Sequence, residues 1–199
     1  MANSINKEEK FLNQRSDKFT IILNDNELHL FKNARYIIKE INCIQSLCLI
    51  FGACIYHDKD YDEYAKKYKT PHYHLVIHVD RNYRIGTVIN LISDCFKCNA
   101  NQISIDKCND LCAQTRYLIH EDEYEKEKYH YDRGDIATNK YDTLYRYLDI
   151  KRIADLKDCV DVVRQYHYDL EEIMMNISNY DKWRKYINDL VVNYHRKKY

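Results

Sequence analysis

The stretch TPHYHLVIHV, residues 70–79, constrains this chain more than any other. It is a run of strand-forming residues, and along a strand successive side chains point to opposite faces. His72, His74, Val76 and His78 fall on one face, while Tyr73, Leu75, Ile77 and Val79 fall on the other and read as core. Two imidazoles two residues apart on one strand face can converge on a single cation. The strand therefore raises a chemical question as well as a structural one.

The surrounding pattern is mixed. KFTIIL (18–23) reads as a first strand, and the mostly apolar SLCLIFGACIY (46–56) as a buried strand ending at HDKD. NELHLFKNARYIIKEINCI (26–44) carries a helical pattern, with Asn24 or Asp25 as its candidate cap. Residues 60–70, DYDEYAKKYKT, read as a charged loop. An amphipathic helix over 84–97, a strand at QISID (102–106) and a second helix over 109–120 follow. KYHYD, inside the highly charged segment 121–135, reads as a final edge strand. Beyond about residue 140 only helical patterns occur, one marked by Tyr180, Trp183, Ile187, Leu190, Val191 and Tyr194, another by Leu156, Val160, Val163, Leu170 and Ile173. The expected organisation is an α+β domain of antiparallel strands over 1–138 and a small all-helical module over 139–199.

Three glycines and one proline in 199 residues argue against long flexible linkers. No apolar run approaches the roughly 20 residues of a membrane span. MANSINKEEKFLNQRSD lacks the apolar stretch of a secretion signal, so a cytoplasmic protein with no membrane partner is expected. Zero formal net charge argues against a non-specific polyanion binder and leaves room for a local basic patch. The twenty tyrosines accompany many Asn, Ile and Lys residues, as an AT-rich coding sequence would produce, so a functional tyrosine must be picked by position. Eight cysteines in an intracellular chain read as reduced thiols. Cys95, Cys98, Cys108 and Cys112 have loosely zinc-like spacing, yet they recur on apolar helical faces and read as small hydrophobes.

HDKD adds His57 and Asp60 to the pair if the strands 46–56 and 71–79 are neighbours. Three imidazoles and a carboxylate form a mixed N/O set suited to Mn²⁺, with Mg²⁺, Co²⁺ or Zn²⁺ as alternatives. Such a site leaves positions open for a phosphate oxygen. On the helix NDLCAQTRYLIH, Leu111, Cys112, Leu118 and Ile119 face the core. The opposite stripe holds Asp110, Ala113, Gln114, Tyr117 and His120, so Tyr117 projects from the polar side.

HDKD, TPHYHLVI and RYLIHEDEYEKEKYHYD, in that order, resemble the HUH endonuclease superfamily, above all the small replication initiators of rolling-circle plasmids. Those proteins end one strand with H-x-x-D, carry P-H-x-H on the next and Y-L-x-H on a helix, and the likeness runs over residues 18–135. It implies a central antiparallel sheet of about five strands with flanking helices. It makes His57, Asp60, His72 and His74 the ligands of a divalent metal, Mn²⁺ or Mg²⁺, and Tyr117 the nucleophile, ahead of Tyr124, Tyr129 and Tyr131. His78 has no counterpart, and Asp58 points away from the metal.

The implied reaction is metal-dependent nicking and joining of origin DNA through a covalent 5′-phosphotyrosine that leaves a 3′-hydroxyl primer. The implied partners are origin DNA (a single strand or hairpin at the nick, with double-stranded repeats as a further candidate), host DNA polymerase and helicase, and further copies of the chain. The segment 139–199 is either the oligomerisation module or an accessory one that binds origin repeats through its basic YHRKKY end. Lys66, Lys67 and Lys69 in the charged loop, with Arg116 beside Tyr117, are candidate phosphate contacts. Rival readings are a relaxase or transposase with the same tyrosine chemistry, a non-catalytic DNA-binding replication regulator, and an RNA-binding module. A transposase of this type tends to be shorter, and a relaxase often carries a histidine triplet that is split here.

Overall fold

The structure, a computed structural model, describes residues 9–24, 31–121 and 127–154, with side chains described as far as Leu148. The chain divides into two compact units, Met1–Leu144 and Tyr145–Tyr199. The helical patterns read beyond residue 154 lie outside the described residues.

The frame of the first unit is a five-stranded antiparallel sheet in the order β6-β1-β5-β2-β7, built from β1 (Arg15–Asn24), β2 (Leu49–His57), β5 (His72–Arg84), β6 (Ile103–Lys107) and β7 (Ala137–Thr138). A separate hairpin pairs β3 (Tyr61–Asp62) with β4 (Lys67–Tyr68). The α+β class with a central antiparallel sheet of five strands is as expected.

Two helices cover one face. In α1 (Ala34–Asn42) the buried residues Ala34, Ile37, Ile38 and Ile41 recur at one-turn spacing, and the Asn33 side chain caps the helix by accepting from the Tyr36 N–H at 2.9 Å. In α2 (Ile85–Phe96) the buried stripe is Ile85, Val88, Ile92 and Phe96. Phe19, Ile21 and Leu23 of β1 and Tyr73, Leu75, Ile77 and Val79 of β5 point into this layer. The face assignment of the histidine strand therefore holds.

That pattern also fixes what lies on the opposite face. A one-residue slip of β5 would turn Leu75, Ile77 and Val79 away from the helices and drive histidines into an apolar layer. Full burial of an aliphatic side chain contributes roughly 1.5–3 kcal/mol. Three of them approach the whole net stability of a domain, about 5–15 kcal/mol. Core packing thus holds His72, His74, Val76 and His78 to the other face, where α3 (Leu111–Tyr117) lies over part of the sheet.

Four expectations are corrected. The first helix begins at Ala34, capped by Asn33, and Asn24 is the last residue of β1. The segment 60–70 is a hairpin whose turn is tied by the Asp62 carboxylate to the N–H groups of Tyr64 (3.0 Å) and Ala65 (2.9 Å). KYHYD forms no strand. The edge strand is β7, held to β2 by Thr138 Oγ1 donating to Gly52 O (2.7 Å) and by Asn139 Oδ1 accepting from Gly52 N–H (2.8 Å). The helix over 109–120 is regular only to Tyr117. A last helix, α4 (Tyr141–Ala154), closes the described residues.

Candidate active site

His57 closes β2 and His72 opens β5, and the antiparallel register sets them directly opposite each other, with His74 opposite Ile55. Opposed residues share a face. The ring centroids of His57 and His72, and of His57 and His74, lie 5.5 Å apart, and those of His72 and His74 6.4 Å. All three histidines are buried. Asp60 lies three residues past the end of β2, where its carbonyl accepts from Lys69 N–H at 2.8 Å and so ties the base of the hairpin. Its carboxylate turns back to put Oδ2 3.4 Å from His57 Nδ1, while Oδ1 accepts from the Tyr131 hydroxyl at 3.2 Å. Ligand atoms of His57, Asp60 and His72 all lie within 4.8 Å of one another. His74 stands outside that trio, its ring edge-on to Tyr117 at 5.2 Å.

The hydrogen bonds decide which ring nitrogen carries each proton. His57 Nε2 lies 2.7 Å from Leu118 O, His72 Nδ1 2.9 Å from Thr70 O, and His120 Nδ1 2.7 Å from Tyr129 O. A carbonyl oxygen only accepts, so each of these nitrogens is the N–H. In the neutral ring this leaves His57 with a lone pair on Nδ1, and His72 and His120 with one on Nε2. A ligating histidine is ordinarily oriented in this way, with the second nitrogen donating to a carbonyl or carboxylate. His57 Nδ1 and His120 Nε2 are buried with no hydrogen-bond partner. In this tautomer, His57 Nδ1 and Asp60 Oδ2 are two acceptors facing each other at 3.4 Å. Such a contact is repulsive unless a proton or a cation lies between them, and the N/O donor set fits a divalent cation.

Burial pushes His74 down to about 3, and likewise lowers His72 and His120 below the ordinary histidine value. Uncharged imidazoles at neutral pH are the form a metal requires. For Asp60, burial alone would raise the pKa. In their protonated forms His57, through its hydrogen bond and charge, and His120 and His72, through their charges, outweigh it and hold the carboxyl well below the usual carboxylate range.

Tyr117 ends α3, half-buried, with its ring between His74 and His120 (centroids 5.2 and 5.4 Å). Lys128 Nζ donates to Tyr117 Oη at 3.2 Å and lies 4.5 Å from the ring centroid. The chain leaves α3 through a Schellman closure, with His120 N–H to Tyr117 O (3.2 Å) and Glu121 N–H to Arg116 O (3.3 Å). The left-handed slot of that motif, usually glycine, is His120 at φ 56. This turns a ring expected on the polar stripe fully inward, 4.9 Å from His57 and 5.7 Å from Tyr131. His120 is thus a site residue that helical periodicity misplaced.

The other tyrosines occupy different settings. Tyr131 is buried, stacked on His57 (4.4 Å, 8°), and burial raises its pKa. Its hydroxyl donates to Asp60 and accepts from Lys59 N–H at 2.9 Å. Tyr129 is exposed, and its hydroxyl accepts from Lys59 Nζ at 2.9 Å. Tyr124 lies outside the described residues. Asp58 is exposed, and His78 lies farther along β5, 3.6 Å from the Asp17 carboxylate.

The cysteines do not gather. Among the described residues no three of Cys95, Cys98, Cys108 and Cys112 come within ligand distance of one another, and burial raises Cys95, Cys98 and Cys108, the last to about 12. Cys95, Cys98 and Cys108 thus stay protonated, and the group packs as small hydrophobes.

Residues 12–145 match the family described as plasmid replication protein, origin binding domain. The chain belongs to this family. No curated protein matches it. The origin-binding domain so defined contains all five sheet strands and every residue of the site above. A plasmid replication initiator whose partner is origin DNA follows from that membership. Among the described residues no helix is long and apolar enough to cross a membrane. The β3–β4 hairpin of the origin-binding domain departs between Asp60 and His72 and presents exposed Lys66, Lys67 and Lys69 alongside exposed Tyr61, Tyr64 and Tyr68. Arg116 is half-buried on α3, next to Tyr117.

Proposed function

We propose that this initiator is a metal-dependent tyrosine endonuclease and strand transferase that starts rolling-circle replication by nicking its plasmid origin. The observation that carries the reading is the facing pair of acceptors, His57 Nδ1 and Asp60 Oδ2, with His72 completing a cation-sized N/O pocket next to a ring contact that runs from His74 to Tyr117.

His57, Asp60 and His72, joined by His74 on the adjoining rung, would hold a Mn²⁺ or Mg²⁺ ion. When bound, the ion supplies Lewis-acid polarisation of the scissile phosphate. The Leu118, Thr70 and Tyr129 carbonyls keep the imidazole lone pairs of His57, His72 and His120 turned inward. Tyr131 and the Lys69 N–H keep Asp60 in place.

Tyr117 Oη attacks phosphorus in line. The Tyr O–H and P–O3′ bonds break, the Tyr O–P and 3′ O–H bonds form, and the hydrogen lost by the phenol equals that gained by the 3′ oxygen. The strand is left with a 3′-hydroxyl, which a host polymerase extends behind a host helicase, and the 5′ phosphate stays on the protein until the reverse reaction joins it. Exposed tyrosines and lysines of the β3–β4 hairpin, with Arg116, engage the unpaired strand by stacking and phosphate contact.

The test is a gel assay on the plasmid's own origin, as supercoiled DNA and as single-stranded oligonucleotides, with Mn²⁺ or chelator. Metal-dependent nicking and a covalent protein–DNA band, both lost in Tyr117→Phe, are expected. Origin binding without nicking under any condition would overturn the reading in favour of a non-catalytic regulator.

A further inference from the structure

We propose that Lys128 is a catalytic residue of this site: its ammonium group holds Tyr117 Oη for attack and stabilises the negative charge that oxygen carries as it meets and leaves phosphorus. The inference rests on the endonuclease reading above and adds to it a residue that lies outside the H-x-x-D, P-H-x-H and Y-L-x-H motifs and to which the resemblance gives no role.

The geometry carries it. A phenol at its ordinary pKa of about 10 is a weak nucleophile, and the charge it develops must be met by a fixed positive group. The metal trio is built around His57, Asp60 and His72, and Tyr117 meets it through the rings of His74 and His120. Lys128 reaches the phenol itself, with Nζ 3.2 Å from Oη and 4.5 Å from the ring centroid. His74 and His120 close on other sides of the ring, edge-on at 85° and 82°. The hydroxyl is thus held by a donor and the ring by three neighbours. Lys128 is itself half-buried, so its charge is screened less than that of a solvent-exposed lysine.

Atoms and charges balance as in the transesterification itself. Lys128 stays an ammonium throughout and neither takes nor gives a proton. In the nicking direction it faces the oxygen that gains the bond to phosphorus. In the joining direction the same oxygen is the leaving group, so the same contact serves both directions. A cation there equally suits the non-bridging oxygens of the phosphodiester, and the experiment separates the two roles.

Wild type, Lys128→Met, Lys128→Gln and Lys128→Arg, as full chains with Mn²⁺, are compared on single-stranded oligonucleotides tiled across the plasmid's own origin. Single-turnover nicking and joining rates are measured at saturating oligonucleotide, and Kd separately over a range of salt. A hydrogen bond to a charged group corresponds to roughly 10- to 100-fold in rate. Lys128→Met and Lys128→Gln are expected to slow both directions by that factor with Kd changed less than about threefold, and Lys128→Arg to restore most of the rate. Should Lys128→Met fail to fold, judged by its melting curve, the comparison of Gln with Arg decides. Unchanged rates in both uncharged variants, or a defect confined to Kd with a shallower salt dependence, overturn the inference and leave the endonuclease intact. A wild-type protein that never nicks overturns the endonuclease reading and Lys128's role with it.

Discussion

Replacing Asp60 by Asn isolates the charge of the proposed metal trio, His57, Asp60 and His72, with little disturbance of its shape. The amide keeps an oxygen where Oδ1 accepts from the Tyr131 hydroxyl at 3.2 Å, and sets an N–H donor where Oδ2 faced the His57 lone pair at 3.4 Å. A lost carboxylate and a gained hydrogen bond, each of order 1 kcal/mol, oppose each other. The metal-free variant should therefore melt within about 4 °C of wild type, since 1 kcal/mol moves a domain of this size by roughly 3 °C. Metal binding should change much more. A ligand at a hundred times its Kd stabilises the fold by about 2.7 kcal/mol, so saturating Mn²⁺ should raise the wild-type melting temperature by roughly 8 °C. Asp60→Asn loses the trio's only anion and aims a donor at the cation, and the increase should shrink to about 2 °C or less. Calorimetric melts at pH 8, with chelator and with increasing Mn²⁺, measure both numbers. An equal Mn²⁺ shift in wild type and variant would refute the ligand assignment, and so would a wild type that Mn²⁺ leaves unmoved.

Tyr131→Phe removes the donor to Asp60 Oδ1 and the acceptor of the Lys59 N–H. It should lower the melting temperature by about 3–6 °C and weaken Mn²⁺ by roughly 10- to 100-fold in titration calorimetry, while the covalent DNA band survives at saturating metal. Acid should destabilise the metal-free chain, because burial lowers the pKa of His72, His74 and His120 in the fold. The unfolded chain then takes up protons first as pH drops. The stability these groups contribute is complete above about 6.5 and is lost from there downward, toward about 3 for His74, with Asp60 adding its loss only below its ordinary value of 3.8. Melts in chelator from pH 8 to 5 should be level at first and fall below about 6.5; a rise on acidification would contradict the assigned neutral rings.

How much of this was legible depended on whether a residue's place follows from period. The two-residue alternation of 72–79 was enough to set the histidines on one face, because Leu75, Ile77 and Val79 must meet the helices. The neighbouring position of His57 followed from β2 and β5 being joined by a short insertion. Two-residue strands carry no period, so the hairpin of 61–68 and the edge strand Ala137–Thr138 were invisible. The hairpin depends on Asp62 bonding its own turn, and β7 on Thr138 and Asn139 reaching Gly52 across more than eighty residues of sequence. Apolar residues before Asn33 continue the helical pattern past the cap of α1, so period alone sets its start too early.

His120 is the instructive failure. Helical spacing carried on past Tyr117 puts it on the polar stripe, and the usual sign that a helix has stopped, a glycine at the left-handed position, is missing. An L residue at φ 56 costs roughly 1–2 kcal/mol that a glycine would not incur. That strain is held by two closing hydrogen bonds, to Tyr117 O and Arg116 O, and by the Tyr129 carbonyl on Nδ1. A ring kept at such a cost, fully buried and with Nε2 unpartnered, is placed against the requirements of stability. Its neighbours give the reason. It lies between the tyrosine that would attack and the histidine and aspartate that would hold the metal, so the reversal of the chain that strains it is also what brings Tyr117 over the histidine face of the sheet.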